Sequence, residues 1–167
     1  MKRIFKVGEN VVCPSHGVGI VSAIENRAIG GEVKKFYVIN ILSTNIKLML
    51  PVECENSSGI RGIVDLKGVK EVFKVLKSSP DGGQKEKNDR WTKRCRRYSD
   101  MIKTGSPVSL AEVTRDLLHL STKKELSFAE KKILENARNM LVKELALASS
   151  KSEDEINRQI DRIFFRV

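Results

Sequence analysis

The spacing of the apolar residues changes halfway along this chain. Before residue 78 they gather in short runs rich in Val and Ile, and after residue 88 they recur every three to four positions. The residues from Ser78 to Asn88 form turns readily and include no apolar side chain. We therefore predict an α+β arrangement with a β domain over residues 1–78, a linker over 79–88 and a helical domain over 89–167.

Three runs in the first part have the length and composition of β-strands, namely Val18–Ile24, Lys35–Ile41 and Ile46–Leu50. Little helix is predicted between them. This favours a small, mainly antiparallel sheet that closes or half closes into a barrel, because closure removes free strand edges. A single helix over Lys67–Leu76 is expected to cap this barrel.

Helix starts are the clearest local feature of the second part. The predicted helices run over about residues 90–103, 109–120, 127–149 and 152–163. Three of them open with a Ser followed three residues later by Glu, which is the capping-box pattern; these pairs are Ser109–Glu112, Ser127–Glu130 and Ser152–Glu155. Asn88 or Asp89 can cap the first helix, and Gly105 with Pro107 is expected to end it.

The sequence contains few combinations of residues of the kind that catalysis requires. The two histidines, His16 and His119, lie in different halves, so they form no local cluster. Cys13 and His16 have a metal-like spacing, but a second pair of ligand residues is missing, and a turn with a packed Cys is the preferred interpretation. Cys13, Cys54 and Cys95 are interpreted as reduced thiols. We predict no catalytic residue, metal site, cofactor or small-molecule substrate.

The charge of the chain favours a polyanionic partner. Lys and Arg number 31 against 21 Asp and Glu, which gives a net charge of +10 and a pI near 9.7. No apolar run approaches the roughly 20 residues of a membrane-spanning helix, and no secretory signal follows Met1. We expect a cytoplasmic protein without a membrane partner, and nucleic acid is the first partner to test.

Half of the net charge lies in residues 85–103, which hold eight basic and three acidic side chains. Within this run stands Trp91, the only tryptophan, at the first turn of a predicted helix. An exposed indole beside cations suits a nucleic-acid wedge or stacking platform, because the cations hold phosphates while the ring covers an unstacked base step. Alternatively, Trp91 packs back on the helical domain through Cys95 and Tyr98 while the charges form a solvated face. The residues alone leave both interpretations open.

The order and spacing of several short segments resemble the CarD family of bacterial transcription regulators. In the first part the matching segments are Phe5–Gly8, Val11–Gly19, Ile24-Glu25, Ile29–Gly31, Leu50-Pro51 and Gly59–Arg61. In the second part they are Trp91, Arg94, Ser99–Gly105, Ala111–Leu117, Leu126-Ser127, Glu130-Lys131, Ala137-Arg138 and Glu144–Ala148. The resemblance covers about residues 3–150 and includes both predicted domains.

The resemblance implies a Tudor-like, SH3-like small β-barrel that binds the β subunit of RNA polymerase. It also implies a helical domain that contacts promoter DNA at the upstream edge of the melted bubble. In the family, the tryptophan matched by Trp91 wedges into the minor groove and opposes bubble closure. Arg27 matches a basic position that contacts polymerase, and Met49 stands where some relatives carry a second such arginine. Arg27 and Met49 are therefore the predicted polymerase-binding residues. Cys95 replaces an aromatic residue of the family.

Basic residues near Trp91 are expected to neutralise phosphates with little sequence specificity. Two of them, Arg96 and Lys131, match basic positions that lie near the DNA in the family. The predicted DNA-binding residues are Trp91, Lys93, Arg94, Arg96, Arg97 and Lys131.

These observations predict a non-enzymatic regulator that joins RNA polymerase at promoters, and through it the nucleoid, and stabilises the open complex. One alternative is a protein-interaction adaptor whose basic helix binds an acidic protein surface. A small enzyme acting on nucleic acid is disfavoured, because no metal or nucleophile constellation is visible in the sequence.

Overall fold

The structure, a computed structural model, describes residues 4–54, 59–80 and 90–165. Within these residues five β-strands are followed by five α-helices, which confirms the predicted α+β class. The chain forms two compact units, Met1–Ile63 and Val64–Val167, which we call the sheet unit and the helical unit.

The strands of the sheet unit are β1 (Asn10–Cys13), β2 (Gly17–Ile29), β3 (Glu32–Ile41), β4 (Lys47–Pro51) and β5 (Arg61–Gly62). They form one antiparallel sheet in the order β4-β3-β2-β1-β5. A short 3-10 turn, Val52–Cys54, follows β4. The sequence predicts β2, β3 and β4. It does not predict β1 and β5, because four and two residues are too few to show an alternating pattern.

The hairpin between β2 and β3 is longer than its apolar pattern indicates. Gly30 and Gly31 form its two-residue turn, with φ values of +61° and +86°. A type I′ turn requires such values, and glycine adopts them without strain. The last residues of β2, from Glu25 to Ile29, are all exposed. No alternation of buried and exposed residues therefore marks this part of the strand in the sequence.

The inner face of the sheet encloses a small apolar core. Strand β3 contributes Tyr37, Ile39 and Ile41, which are fully buried. The Phe5 amide donates to Tyr37 Oη at 3.2 Å, and the two rings meet edge to face. A Cβ atom on Gly19 would lie 2.6 Å from Cγ2 of Ile39. The close approach of β2 and β3 therefore requires glycine at this position.

A register shift between Val21 and Ala23 marks a β-bulge in β2. A bulge bends its strand and increases the local twist. Strand β2 accordingly pairs with β1 near its beginning and with β3 along most of its length. The five-stranded antiparallel sheet with its own apolar core confirms the small Tudor-like β domain predicted from the sequence.

The helices of the helical unit are α1 (Leu66–Lys77), α2 (Trp91–Lys103), α3 (Pro107–Ser121), α4 (Phe128–Ser149) and α5 (Glu153–Phe164). Their apolar faces meet in one core, whose fully buried side chains include Leu110, Leu117, Leu141 and Ile156. Across the described residues, no helix combines the length and the apolar character that a membrane span requires.

Helix α1 belongs to the helical unit, and the prediction that it caps the barrel is wrong. Its residues Val72 and Leu76 lie in the helical core cluster and not in the sheet core. Just before the helix, the Val64 amide donates to the buried carboxylate of Glu144 at 3.2 Å. The helical spacing of apolar residues shows which face a helix buries, but it does not show which core receives that face.

The division of the chain therefore falls before α1, so the β domain predicted over residues 1–78 is too long. Most of the predicted linker lies outside the described residues, which omit 81–89, and so do its proposed helix caps Asn88 and Asp89. Arg90 occupies the N-cap position of α2 and makes no side-chain capping hydrogen bond.

Of the three helix starts predicted from a capping box, two are confirmed as N-caps. Ser127 and Glu130 form a complete capping box, and Ser152 Oγ accepts a hydrogen bond from the Glu155 amide at 3.1 Å. Helix α3 instead begins at Pro107, with Ser106 as its N-cap. Proline disfavours helical backbone in the residue before it and is preorganised for the first helical position, so it starts this helix as well as ending the previous one.

Candidate functional site

Helix α2 presents its basic residues on two faces. One face carries side chains spaced three and four positions apart, which line an open groove of about 550 Å³. We call it the basic groove, and its lining residues are Lys93, Arg96, Arg97, Asp100, Met101 and Thr104. The other face carries Trp91 and Arg94, which contact the start of α4. Three of the predicted cations are thus brought together by the helical period alone.

Trp91 is the first residue of α2, and it is 46% exposed. Its Nε1 donates a hydrogen bond to Ser127 Oγ at 3.2 Å. The residues that α2 buries in the helical core are Tyr98 and Ile102. The indole therefore lies at the surface and is oriented by a hydrogen bond. The half-exposed ring and its contact with α4 are compatible both with the wedge and with the alternative in which Trp91 packs back on the helical domain through Cys95 and Tyr98.

The capping box of α4 also holds α2. Ser127 Oγ accepts from the Glu130 amide at 3.3 Å, and Glu130 Oε2 accepts from the Ser127 amide at 2.9 Å. Ser127 Oγ receives the indole N–H as well, while Glu130 Oε1 accepts from Nη2 of Arg94 at 2.7 Å. We call Trp91, Arg94, Ser127 and Glu130 the Trp91 cluster. A local helix-start motif thereby orients residues of another helix.

Glu130 is a buried charge whose partners compensate its desolvation, since the residue is 1% exposed. Burial raises the pKa of its carboxyl group. Hydrogen bonds from Ser127 and Arg94, together with the charge of Lys124 at 4.0 Å, outweigh burial and hold the pKa below its ordinary value. The carboxylate therefore stays ionised near neutral pH and gives Arg94 a permanent partner.

Arg94, one of the predicted phosphate contacts, is bound within the helical unit. Its side chain is 18% exposed and forms a salt bridge with Glu130. The Nε atom is buried, and within the described part of the chain it has no hydrogen-bond partner. A guanidinium bound in this way supports the start of α2 and the adjacent Trp91. The sequence gives no sign of this pairing, because 36 positions separate the two partners.

Arg97 and Lys131 remain at the surface of the helical unit. The Arg97 guanidinium lies 5.4 Å from the centroid of the Tyr98 ring, within the range of a cation–π contact. The Lys131 side chain is 56% exposed, and its Nζ donates to Glu125 at 3.0 Å. This hydrogen bond lowers the pKa of Glu125. Exposed ion pairs are weak, so Lys131 can exchange Glu125 for another anion.

The two predicted polymerase contacts share one face of the sheet. Arg27 of β2 is opposite Lys34 of β3, and Met49 of β4 is opposite Val38 of β3. Alternate residues of a strand share a face, so Lys34 and Val38 point away from the core residue Tyr37. We call this surface the outer sheet face; across three strands it carries Ala23, Glu25, Arg27, Lys34, Phe36, Val38, Met49 and Pro51.

The outer sheet face combines a charged end with an apolar centre. The Arg27 side chain is 56% exposed and lies 3.2 Å from the carboxylate of Glu25. Met49 is half-buried beside Val38, and both Val38 and Phe36 are buried. The structure therefore brings Arg27 and Met49 onto one surface but gives them different chemical surroundings.

Cys13 and His16 do not converge on a metal site. Cys13 is buried in the sheet core, whereas His16 is exposed on the turn that its amide closes by donating to the Cys13 carbonyl at 3.2 Å. Burial raises the pKa of the Cys13 thiol to about 11. Throughout the described residues, no group of three or more His, Cys, Asp or Glu side chains is placed to hold a metal ion.

Sequence reasoning named Lys131 of α4 but missed the role of the start of this helix in holding Trp91 and Arg94. Ser127 and Glu130 are recognisable as a cap, but their contacts with α2 depend on tertiary structure. It also missed Phe128, the first residue of α4, which is 82% exposed. The exposure of Phe128 could have been predicted from the sequence, because this residue lies outside the apolar stripe that begins at Ile133 and Leu134.

The fold and the site define a class of protein: a two-domain binding protein with a small antiparallel β domain and a basic helical domain that displays a tryptophan. The family model described as "CarD-like/TRCF RID domain" matches residues 5–64. The model described as "CarD, C-terminal domain" matches residues 71–161. This chain belongs to the CarD family of transcription regulators.

Individual proteins show the same similarity. The "Putative transcription factor YdeB" of Bacillus subtilis (strain 168) is 34% identical over 153 residues, which cover 92% of this chain and 97% of the relative. A solved structure, "CdnLNt from Myxoccoccus xanthus", is 38% identical and covers 38% of this chain and 90% of its own, with a TM-score of 0.32.

Proposed function

We propose that this protein binds the RNA polymerase β subunit through the outer sheet face and promoter DNA through the Trp91 cluster and the basic groove. Bound to both, it stabilises the open complex without catalysing a reaction. The match of residues 5–64 to the CarD-like/TRCF RID domain supports the polymerase contact. The positive charge of the basic groove, on the same helix as Trp91, supports the DNA contact.

The observation that carries this proposal is the position of Trp91. Folding leaves Trp91 46% exposed, yet the hydrogen bond that its indole N–H donates to Ser127, in the capping box of another helix, orients the ring. An oriented and exposed aromatic ring is preorganised for a partner, since little conformational freedom is lost on binding. Beside phosphate-binding cations, such a ring can fill an unstacked base step in the minor groove.

The basic residues divide into two roles in this proposal. Lys93, Arg96 and Arg97 of the basic groove neutralise phosphates on one side of Trp91, and Lys131 of α4 adds a further contact. Arg94 is a positioning residue, because its guanidinium is bound to buried Glu130. Phosphate contacts of this kind hold the protein on DNA and fix its orientation without reading the sequence.

On the sheet unit, Arg27 supplies a charged contact at the hairpin and Met49 an apolar contact beside buried Val38. An aromatic wedge held at the bubble edge by the polymerase contact needs to contribute only modest free energy. Each 1.4 kcal/mol changes the ratio of open to closed complexes about tenfold. No operator sequence of its own is required, because the polymerase brings the protein to promoters.

The salt dependence of DNA binding by the full chain tests the proposal. Replacing Lys93, Arg96 and Arg97 with Ala should reduce the slope of log affinity against log salt by about 2.7, because each lost phosphate contact accounts for about 0.9. The matched control replaces Lys70, Lys74 and Lys77, three exposed residues of α1. The control removes the same charge from another helix and should leave most of the slope intact.

The outcome also separates the proposal from its alternatives. An unchanged slope with an altered preference among promoter sequences would indicate base readout by the groove. Binding to an acidic protein surface, together with a slope equal in both triple variants, would favour the adaptor. Either result contradicts the proposal.

A further inference from the structure

Phe128 is an exposed aromatic residue beside the Trp91 cluster. It is the first residue of α4 and is 82% exposed, more than any other large apolar residue that the structure describes. The residue before it, Ser127, accepts the hydrogen bond from the Trp91 indole. Two exposed aromatic side chains therefore stand at the adjoining starts of α2 and α4.

Folding of the helical unit gives no reason for a phenylalanine at this position. The apolar contact that commonly fixes a helix start joins the residue before the N-cap to the fourth helical residue, here Leu126 and Lys131, and omits the first. Leu126 is buried, whereas most of the surface of Phe128 is exposed to solvent. An exposed ring at this position leaves apolar surface in water and stabilises the helix little.

The side chains around Phe128 are mainly basic. Lys132 Nζ lies 6.0 Å from the centroid of the Phe128 ring. Lys131 and Lys124 are exposed on the same end of α4 and the loop before it, with side-chain exposures of 56% and 52%. Two carboxylates partly offset these cations: buried Glu130 lies 4.0 Å from Lys124, and exposed Glu125 pairs with Lys131 at 3.0 Å. Exposed ion pairs are weak, so a DNA phosphate can replace Glu125 as the partner of Lys131. An aromatic ring among cations is complementary to a nucleic acid base with its phosphates.

We propose that Phe128 is a second aromatic contact to promoter DNA, which stacks on an unpaired base beside the step that Trp91 fills. This inference rests on the proposed function. DNA is favoured over an acidic protein as the partner, because Phe128 directly follows Ser127, which binds the Trp91 indole. The Phe128 ring therefore lies next to the residue proposed to enter the duplex. Stacking is tolerant of base identity, so Phe128 adds affinity for melted DNA without adding sequence readout.

Binding of the full chain to forked DNA tests the inference, with a continuous duplex of the same sequence as comparison. Phe128→Ala should lower affinity for the fork roughly tenfold and change affinity for the duplex by less than about twofold, because only the fork offers an unpaired base. Phe128→Tyr should restore binding, whereas Phe128→Leu should not, since it keeps apolar volume but lacks a π-face. Phe165→Ala is the matched control, an exposed aromatic at the end of α5.

Thermal unfolding of each variant should remain close to that of the wild type, so a loss of binding cannot be ascribed to misfolding. Equal affinity of wild type and Phe128→Ala for the fork, with a loss in Trp91→Ala, would overturn this inference and leave the proposed function intact. Unchanged affinity in both variants would overturn the two together. Wild-type affinity of Phe128→Leu for the fork would also overturn the inference, because it would show that aromatic stacking is not required.

Discussion

The two units of this molecule arrange their candidate contacts in opposite ways. In the sheet unit, Arg27 and Met49 lie on the outer sheet face, while alternate residues such as Tyr37 build the core. In the helical unit, Trp91 is connected through a capping box to Glu130, which is buried. Contact residues and structural residues are separate in the first unit and adjoin one another in the second.

This difference follows from the geometry of the two kinds of element. A strand sends successive side chains to opposite faces, so a contact residue can change without disturbing the core beneath it. A helix start must satisfy free backbone N–H groups, and the side chains that do so here also hold a neighbouring helix. Substitutions in the helical unit must therefore be compared in stability before their effect on binding is interpreted.

A substitution at Glu130 tests most directly whether the capping box of α4 supports the residues around Trp91. Glu130→Gln removes the charge that Arg94 faces and weakens the frame around Trp91, so we expect a loss of about 2–3 kcal/mol in the free energy of unfolding. Urea unfolding followed by tryptophan fluorescence measures it. Glu135→Gln, an exposed position on the same helix, is the control and should change stability little. A loss for Glu130→Gln no larger than that of the control would show that the ion pair does not support the unit.

The pH dependence of stability sharpens the same point. The folded-state pKa of Glu130 lies below its ordinary value, so its contribution is fully present above the unfolded pKa of about 4.3 and is lost as pH falls through the folded pKa. The difference in unfolding free energy between wild type and Glu130→Gln should therefore shrink as pH is lowered from 7 to 3. A difference that stays constant over this range would contradict the assignment.

The sheet unit should respond differently to the loss of a contact residue. Arg27→Glu reverses a charge that is 56% exposed, so we expect affinity for a β-subunit fragment to fall about tenfold with little change in melting temperature. Lys35→Glu is the matched control, because Lys35 pairs with Asn26 on the opposite face of the same hairpin. Equal losses in both variants would indicate a general charge effect and would remove Arg27 from the contact surface.

The limits of sequence reasoning also differ between the units. The alternation of Tyr37, Ile39 and Ile41 marks β3 as a strand, and the Ser127–Glu130 pair marks the start of α4, because both signals are local. The assignment of α1 to the helical core is not local. The ion pair of Arg94 is not a local feature either, because its partner Glu130 lies on a different helix.

The candidate site was predictable to the extent that it follows helical periodicity. Lys93, Arg96 and Arg97 share a face because they are three and four positions apart, and the sequence places Trp91 at the start of the same helix. The placement of Arg27 and Met49 on one face depends on strand register across two hairpin connections, which their sequence separation does not reveal.

Removal of the Trp91 side chain should have a small effect on stability. Trp91→Ala loses one hydrogen bond at a half-exposed position, so we expect a decrease of less than about 1 kcal/mol in the free energy of unfolding, measured by circular dichroism. A fully buried tryptophan would cost about 3–5 kcal/mol. A loss of that size would show that Trp91 is a core residue, so that the proposed contact residue of the helical unit is itself needed for folding.

The lifetime of open promoter complexes formed with RNA polymerase and the full chain tests the central claim most directly. Trp91→Ala should shorten that lifetime about tenfold relative to wild type while β-subunit affinity is retained, and Trp91→Phe should lie between them because its smaller ring fills the step incompletely. A lifetime unchanged in Trp91→Ala, or reduced only in proportion to the folded fraction, would contradict a role for Trp91 in stabilising the open complex.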